Sequence, residues 1–368
     1  MLGFGAFEAV RKIEGNLIAT LSELDELVTR LAGFDRVAVD TEADSLHCYR
    51  EKLCLLQLSV PEGDFLVDPL KDVDLSPLRD LLSQKEIVLH GSDFDLRILR
   101  RGMQLVATRV FDTVIAARLL GITEFSLAAL IQRFFGVALP KGSQKANWAQ
   151  RPLSARMKEY AINDTHYLLP LAKELEAHLG ERGRLDWFRQ SCARAIEQAA
   201  NDRVRDSDEV WRISGAGALE GAAAAVLREL WQWREDEAQI ADRPAFHILR
   251  NEEMLRSAKA MVAGDSIDFR HFSDRRRRGF REAAERGLAV NQQEWPQMRR
   301  RKGVRRSAET ERAIERLRKH RDSAAANLEL EPAFIAPRAA LEAIAANPAI
   351  ANEVLVSWQR ELLHVNGI

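Results

Sequence analysis

Two hydrophobic patterns divide this chain. Up to about residue 205, short apolar runs alternate with stretches of helical period; beyond it only the helical period remains. Thr20-Leu21-Ser22-Glu23-Leu24 opens a helix with a hydroxyl cap, Leu24, Leu27 and Leu31 recur on one face, and Gly33 stops it. Apolar runs at 36–42, 53–60 and 64–68 read as strands, and the turn Pro61-Glu62-Gly63 makes the last two a hairpin. A helix over 76–84 leads to a short buried strand, Ile87-Val88-Leu89-His90, and another helix starts at Ser92. After Phe111-Asp112-Thr113 come helices through 114–135, then a strongly helical stretch over 154–179 with Pro170 as its break. Strands grouped early, with helices between and after them, predict an α/β domain over 1–205.

From Trp211 onward the chain reads as helices and loops, with an internal echo. Pro244-Ala245-Phe246 with Arg250 returns as Pro332-Ala333-Phe334 with Arg338, and Trp233-Arg234-Glu235-Asp236 has a weaker counterpart in His320-Arg321-Asp322. The echo predicts two all-α domains of similar design, at 208–290 and 308–368, joined by a linker at 291–307. That linker carries Arg299, Arg300, Arg301, Lys302, Arg305 and Arg306, with no acid among them.

Composition changes this picture only at its edges. The chain has 368 residues, 46% hydrophobic and 30% charged, and lacks any apolar run long enough to span a bilayer. Its beginning lacks the basic-then-apolar order of a secretory signal, and its three cysteines (Cys48, Cys54, Cys192) have no metal-ligand spacing. These features predict reduced thiols in a cytoplasmic protein with no membrane partner. The net charge is −1, so a polyanion would have to be held by local patches. Besides the linker, Arg275-Arg276-Arg277-Arg278 is such a patch; its plain alternative is a solvated helix face balanced by Asp274, Glu282 and Glu285. Trp211, Trp231, Trp233, Trp295 and Trp358 offer rings for stacking on bases, though core packing of small helical domains is the commoner use.

The candidate chemistry begins at Val37-Ala38-Val39-Asp40-Thr41-Glu42. On a strand, Asp40 and Glu42 point to one face, where two ionised carboxylates repel unless something positive lies between them. Hard divalent cations meet that need. The helix after the fourth strand, in His90-Gly91-Ser92-Asp93-Phe94-Asp95-Leu96, brings two more acids; either they merely suit its first turn or one of them, with Asp95 at the sheet side, completes the site. In Tyr160-Ala161-Ile162-Asn163-Asp164, Tyr160 and Asp164 share a helix face.

Those three segments together resemble the exonuclease motifs of the DEDD nucleases, and Tyr160, four before Asp164, matches the Tyr subtype; Glu159 stands where the His subtype would have its histidine. The stretch from Lys141 to Trp148, Arg151-Pro152-Leu153 and Tyr167-Leu168-Leu169-Pro170 resembles the ribonuclease D family, and the two helical repeats resemble its HRDC domains, the first more closely. The resemblance implies an α/β ribonuclease H-like exonuclease domain, a mixed sheet with flanking helices, followed by two all-α HRDC-like domains. It also implies two divalent ions, Mg²⁺ or Mn²⁺, roughly 3.5–4 Å apart. Asp40 would bridge them, Glu42 and Asp164 would complete the first, Asp95 would support the second, and Tyr160 would orient the attacking water. The expected activity is 3′-5′ exoribonuclease release of nucleoside 5′-monophosphates by a monomer. The expected substrate is RNA with a free 3′ end, above all tRNA precursors and other stable RNAs. The rivals are a 3′-5′ DNA exonuclease using the same acids and a non-catalytic RNA-binding adaptor. A third reading, a nucleotide-binding Rossmann domain, is poor, since no glycine-rich G-x-G-x-x-G or Walker loop follows the first strand. His90, Asp112, Lys141 and Trp148 match family positions near the site without an assigned chemistry.

Overall fold

The computed structural model describes residues 17–140, 142–201, 209–265, 267–297 and 307–365. The chain divides into two compact units: Met1–Ala43, Lys52–Asp202 and Arg306–Ile368 form one, Asp44–Glu51 with Arg203–Arg305 the other.

The first unit is organised on a six-stranded mixed sheet. Its strands are β1 (Leu17–Ile18), β2 (Arg36–Ala43), β3 (Leu53–Val60), β4 (Gly63–Val67), β5 (Glu86–Leu89) and β6 (Arg109–Asp112), in the order β1-β4-β3-β2-β5-β6. β3 is antiparallel to β2 and β4, while β5 runs parallel to β2 and β6. Helix α1 (Leu21–Ala32) begins in a capping box between Thr20 and Glu23 and buries Leu24, Leu27 and Leu31. α2 (Ser76–Leu82) precedes β5, and α3 (Asp93–Met103) follows it. α4 (Thr113–Leu119), α5 (Leu127–Phe135), α6 (Ala155–His166), α7 (Leu168–Glu181) and α8 (Leu185–Ala200) complete the helices around the sheet.

One core packs Leu24, Leu27 and Leu31 with Leu56, Leu58, Leu96, Ile98 and Leu99; another packs Leu55, Leu66, Trp148, Met157, Ala161 and Ile162. The alternation along β3, with Leu56 and Leu58 in the first core and Leu55 in the second, places α6 over the face that also carries Gln57 and Ser59. Ser59 Oγ lies 2.7 Å from Thr165 Oγ1 of α6, and His166 Nδ1 lies 2.8 Å from Asp64 Oδ2 of β4, which fixes the helix on the sheet.

The break in the long helical stretch falls at Tyr167, three residues before Pro170, so the proline occupies the first turn of α7, where its missing N–H costs no hydrogen bond. Ser92, at the start of α3, makes no side-chain capping bond. Asp112 takes its place, accepting from Gly91 N at 3.1 Å and Ser92 N at 2.7 Å. Two short strands, β1 and β6, and helix α8 add to the elements read from the sequence.

In the second unit, α9 (Ala222–Ala241), α10 (Ala245–Ile248), α11 (Asn251–Val262) and α12 (Asp274–Ala289) surround Trp211, Leu227, Leu230, Trp233, Phe269, Phe272 and Phe280. Tyr49 packs on the same core, and its hydroxyl donates to Glu235 at 3.3 Å.

The C-terminal helices α13 (Ala308–Leu328), α14 (Pro332–Ile335), α15 (Arg338–Ala346), α16 (Ala351–Val354) and α17 (Ser357–Leu362) belong to the first unit. Their Ala325, Leu330, Ile335 and Trp358 join Phe111, Leu119, Leu168 and Phe188 in one core. Trp358 stacks on Trp187 of α8 with centroids 5.0 Å apart and donates from Nε1 to Ser191 Oγ at 3.1 Å. At the turn after α4, Gly121 has φ +75°, and a side chain there would lie 2.4 Å from the Glu329 carbonyl. The C-terminal helices thus share a compact unit with the sheet.

Candidate metal centre

The open end of β2 makes the site. β5 pairs with β2 from Arg36↔Glu86 to Ala38↔Val88 and then turns away, whereas β3 stays paired with β2 through Asp40↔Gln57 and Glu42↔Leu55. A crevice beyond the carboxyl end of a parallel strand is where α/β proteins place their ligands. Asp40 and Glu42, on alternate positions of one strand, face α6, which lowers Asp164 onto them. Ligand oxygens of Asp40, Glu42 and Asp164 all lie within 4.8 Å of one another, the one such group among the described residues.

Asp95 reaches the same region from α3. Its Oδ1 accepts from Thr41 N at 3.1 Å and from Thr41 Oγ1 at 2.5 Å. Thr41 N–H is free to make that bond because β5 has already left the strand's side. The two acids of α3 are placed differently: Asp95, outside the group of three converging acids, is 6% exposed and bonded to the strand, while Asp93 is exposed and paired with Arg97 at 2.8 Å.

Electrostatically the cluster is unbalanced. Burial, followed by the charges of Asp95, Asp164 and Glu42, raises the Asp40 carboxyl well above its usual range. Burial and the neighbouring Asp164 and Asp95 push Glu42 up to about 9. Burial lifts Asp164 to about 7 against the hydrogen bond from Tyr160, and Asp95 to about 6 against its bonds from Thr41. No Lys or Arg pairs with Asp40, Glu42 or Asp164 among the described residues. Like charges held this close are favourable only with shared protons or a cation between them, and an all-carboxylate donor set suits a hard divalent ion.

Tyr160 sits on α6 one turn before Asp164 and hydrogen-bonds to it, and burial with the nearby acids raises its hydroxyl further above the ordinary phenol value. Its ring is 6.1 Å from that of Trp148, which is fully buried, and a Cβ on Gly142 would fall 1.8 Å from the ring. The bare backbone at Gly142 thus lies flat against Tyr160. The segment that carries Trp148 is anchored by Arg151, whose guanidinium bonds Asp68 at 2.6 and 2.7 Å. Lys141 lies outside the described residues.

Asp112 is a functional neighbour that sequence reasoning noticed without a role. Besides the two amides before α3, it accepts from Val114 N at 2.8 Å and Ile115 N at 3.3 Å, so one buried carboxylate gathers the starts of α3 and α4. His90 Nδ1 contacts Thr113 Oγ1 at 2.8 Å, and burial lowers its pKa against the pull of Asp112.

The basic patch is arranged differently. Arg275 and Arg276 both bond Glu237, at 2.5 and 3.1 Å, and Arg277 pairs with Asp268 and Asp274 at 3.3 and 3.4 Å. Of the acids named from the sequence, only Asp274 takes part in these pairs. Arg278 is exposed. Arg299, Arg300, Arg301, Lys302, Arg305 and Arg306 lie outside the described residues. Trp211, Trp233 and Trp358 are core residues, and Trp295 donates to Val290 O at 3.0 Å.

Comparison with known proteins agrees with this geometry. Residues 16–180 match the 3′-5′ exonuclease family model, and 223–264 match the HRDC domain. The chain is 28% identical over 247 residues to ribonuclease D of Desulfotalea psychrophila, covering 66% of each protein. It is 34% identical over 227 residues to ribonuclease D of Haemophilus influenzae, covering 61% of this chain and 57% of that one. These matches span less than two thirds of the relatives' own lengths. The crystal structure of Escherichia coli RNase D superimposes with a TM-score of 0.72 at 22% identity, over 96% of this chain and 99% of that one. The sheet with its acid-bearing strand is thus a ribonuclease H-like exonuclease fold, accompanied by an HRDC region, in a chain similar to ribonuclease D.

Proposed function

We propose that this protein is a divalent-metal-dependent 3′-5′ exoribonuclease. The observation that carries the reading is the convergence of Asp40, Glu42 and Asp164, with no basic partner among the described residues, in a domain that matches the 3′-5′ exonuclease family. Asp40, Glu42 and Asp164 would hold the ions, two of them and Mg²⁺ or Mn²⁺, with Asp95 in support. Bound there, the ions supply charge stabilisation to a phosphodiester as water attacks it.

The chain's own groups do the rest. Tyr160, whose hydroxyl stays protonated at neutral pH, orients the attacking water as a donor and positioner, not as a base. Thr41 fixes Asp95, and Asp112 fixes the turn that delivers it. The match of Tyr160 to the Tyr subtype and the second helical repeat as an HRDC-like domain belong to the same reading, with domains at 1–205, 208–290 and 308–368. Arg278 and the linker cations at 299–306 would contact phosphates without reading sequence.

The E. coli structural relative is described as an exoribonuclease involved in structured RNA processing. By analogy the substrate here is the 3′ end of structured RNA, tRNA precursors foremost, and the protein acts as a cytoplasmic monomer. The test is a tRNA precursor with a 3′ extension beside a DNA strand of the same sequence, with products separated by chromatography. Nucleoside 5′-monophosphates released from the RNA are expected. Preferential digestion of the DNA would replace the ribonuclease reading by the DNA exonuclease one.

A further inference from the structure

Gln57 is the one amide in the apolar run of β3. It is 0% exposed, and neither Nε2 nor Oε1 has a hydrogen-bond partner. A buried amide left unpaired costs free energy at both atoms, so an isolated core position would favour leucine. Its surroundings say why an amide stands there. In the antiparallel ladder Gln57 lies directly opposite Asp40, and opposite residues share a face with Cβ atoms about 4.5–5.5 Å apart. Its other neighbours on that face are Leu55, Leu66 and Ser59. The leucines offer no polar atom, and the Ser59 hydroxyl is engaged with Asp64 at 2.6 Å and Thr165 at 2.7 Å. Asp40 is the polar residue directly opposite Gln57, with Glu42 diagonal to it on the same face.

We infer that Gln57 is a positioning residue for the metal centre. It supports the Asp40 carboxylate from the side away from the ions, directly or through a site water, and so aims its free oxygens at Glu42 and Asp164. Carboxylates that bind metals are themselves hydrogen-bonded, and loss of such a partner weakens metal affinity by about 10–100-fold. The inference rests on the reading of Asp40 as an ion ligand.

The test uses the full chain, stripped of metal, with Gln57→Leu and Gln57→Met, which keep the buried volume. Three quantities are measured: the thermal midpoint without metal, the Mn²⁺ affinity by calorimetry, and KM and kcat on RNA. Both variants are expected to fold and to melt close to the wild-type temperature without metal, because leucine and methionine keep the buried volume. Their Mn²⁺ affinity is expected to fall about tenfold or more, with a lower kcat at limiting metal and an unchanged KM for RNA. Folded variants with wild-type Mn²⁺ affinity would overturn the inference, and unfolding of both would assign Gln57 to the core alone. A wild-type chain that binds no Mn²⁺ would instead remove the metal reading itself, which separates the two failures.

Discussion

Two clusters in this molecule are dense in charge, and they are built on opposite rules. At Glu237 three bonds from Arg275 and Arg276 surround a 5%-exposed carboxylate, and Arg277 is matched by Asp268 and Asp274. At Asp40, Glu42 and Asp164 three acids meet with no basic partner among the described residues, and burial makes their repulsion stronger. A balanced cluster needs nothing further to be stable, so it reads as structure. An unbalanced one is unfavourable unless a cation or protons join it, so it reads as a site. The arginine run looked like a phosphate patch in the sequence because a run of like charge is visible there, and the acid that neutralises it, on α9, is not.

The largest effect expected from this contrast is on Asp40→Asn. Removing the central carboxylate should lower RNA hydrolysis about a thousandfold, the equivalent of several kcal/mol of charge stabilisation. RNA affinity in a filter-binding assay should stay within about twofold, because the acid is not an RNA contact. Residual turnover near wild type would remove Asp40 from the site. Tyr160→Phe should cost less, about a hundredfold in kcat with little change in melting, and an unchanged rate would reduce the tyrosine to a packing role beside Trp148.

The imbalance also predicts a pH signature. Glu42 and Asp164 have raised pKa values in the folded chain, about 9 and about 7, against ordinary values of 4.5 and 3.8. The folded protein therefore holds protons that the unfolded chain has released. That contribution is complete below the ordinary carboxylate range and is lost as pH climbs through about 7 and then about 9. The metal-free melting temperature should fall over this window, and the gain on adding Mn²⁺ should grow, since metal competes with those protons. A metal-induced shift that does not change with pH would contradict the like-charge account. The smallest effect belongs to the balanced cluster. Glu237→Gln should destabilise its helical unit by about 1–2 kcal/mol, discounted because Arg275 remains half exposed, and should leave hydrolysis of a short RNA unchanged.

Much of the site could be read from the sequence because its geometry is local. Asp40 and Glu42 alternate on a strand, Tyr160 and Asp164 stand one turn apart on a helix, and each pairing is fixed by element period alone. What could not be read needed register or tertiary placement. Gln57 carries no local signal in the apolar run 53–60, and only the ladder sets it opposite Asp40. Asp112 had no assigned chemistry in the sequence, and only the fold shows its carboxylate accepting four amides. β6, only four residues long and beginning with an exposed arginine, carries too short a pattern to stand out. The second helical repeat is legible as helices, but Trp358 belongs to a core shared with α8, and no local pattern announces which neighbour a tryptophan will meet.

Whether the uncompensated acids act through a bound cation can be decided by one time course. Purified chain is incubated with RNA labelled at the 5′ end or the 3′ end, in excess EDTA and then with Mg²⁺ or Mn²⁺ restored. No cleavage is expected in EDTA. With metal, immediate release of the 3′ label as a mononucleotide and stepwise shortening of the 5′-labelled strand are expected. Complete degradation of the RNA in excess EDTA would contradict a metal-dependent reaction.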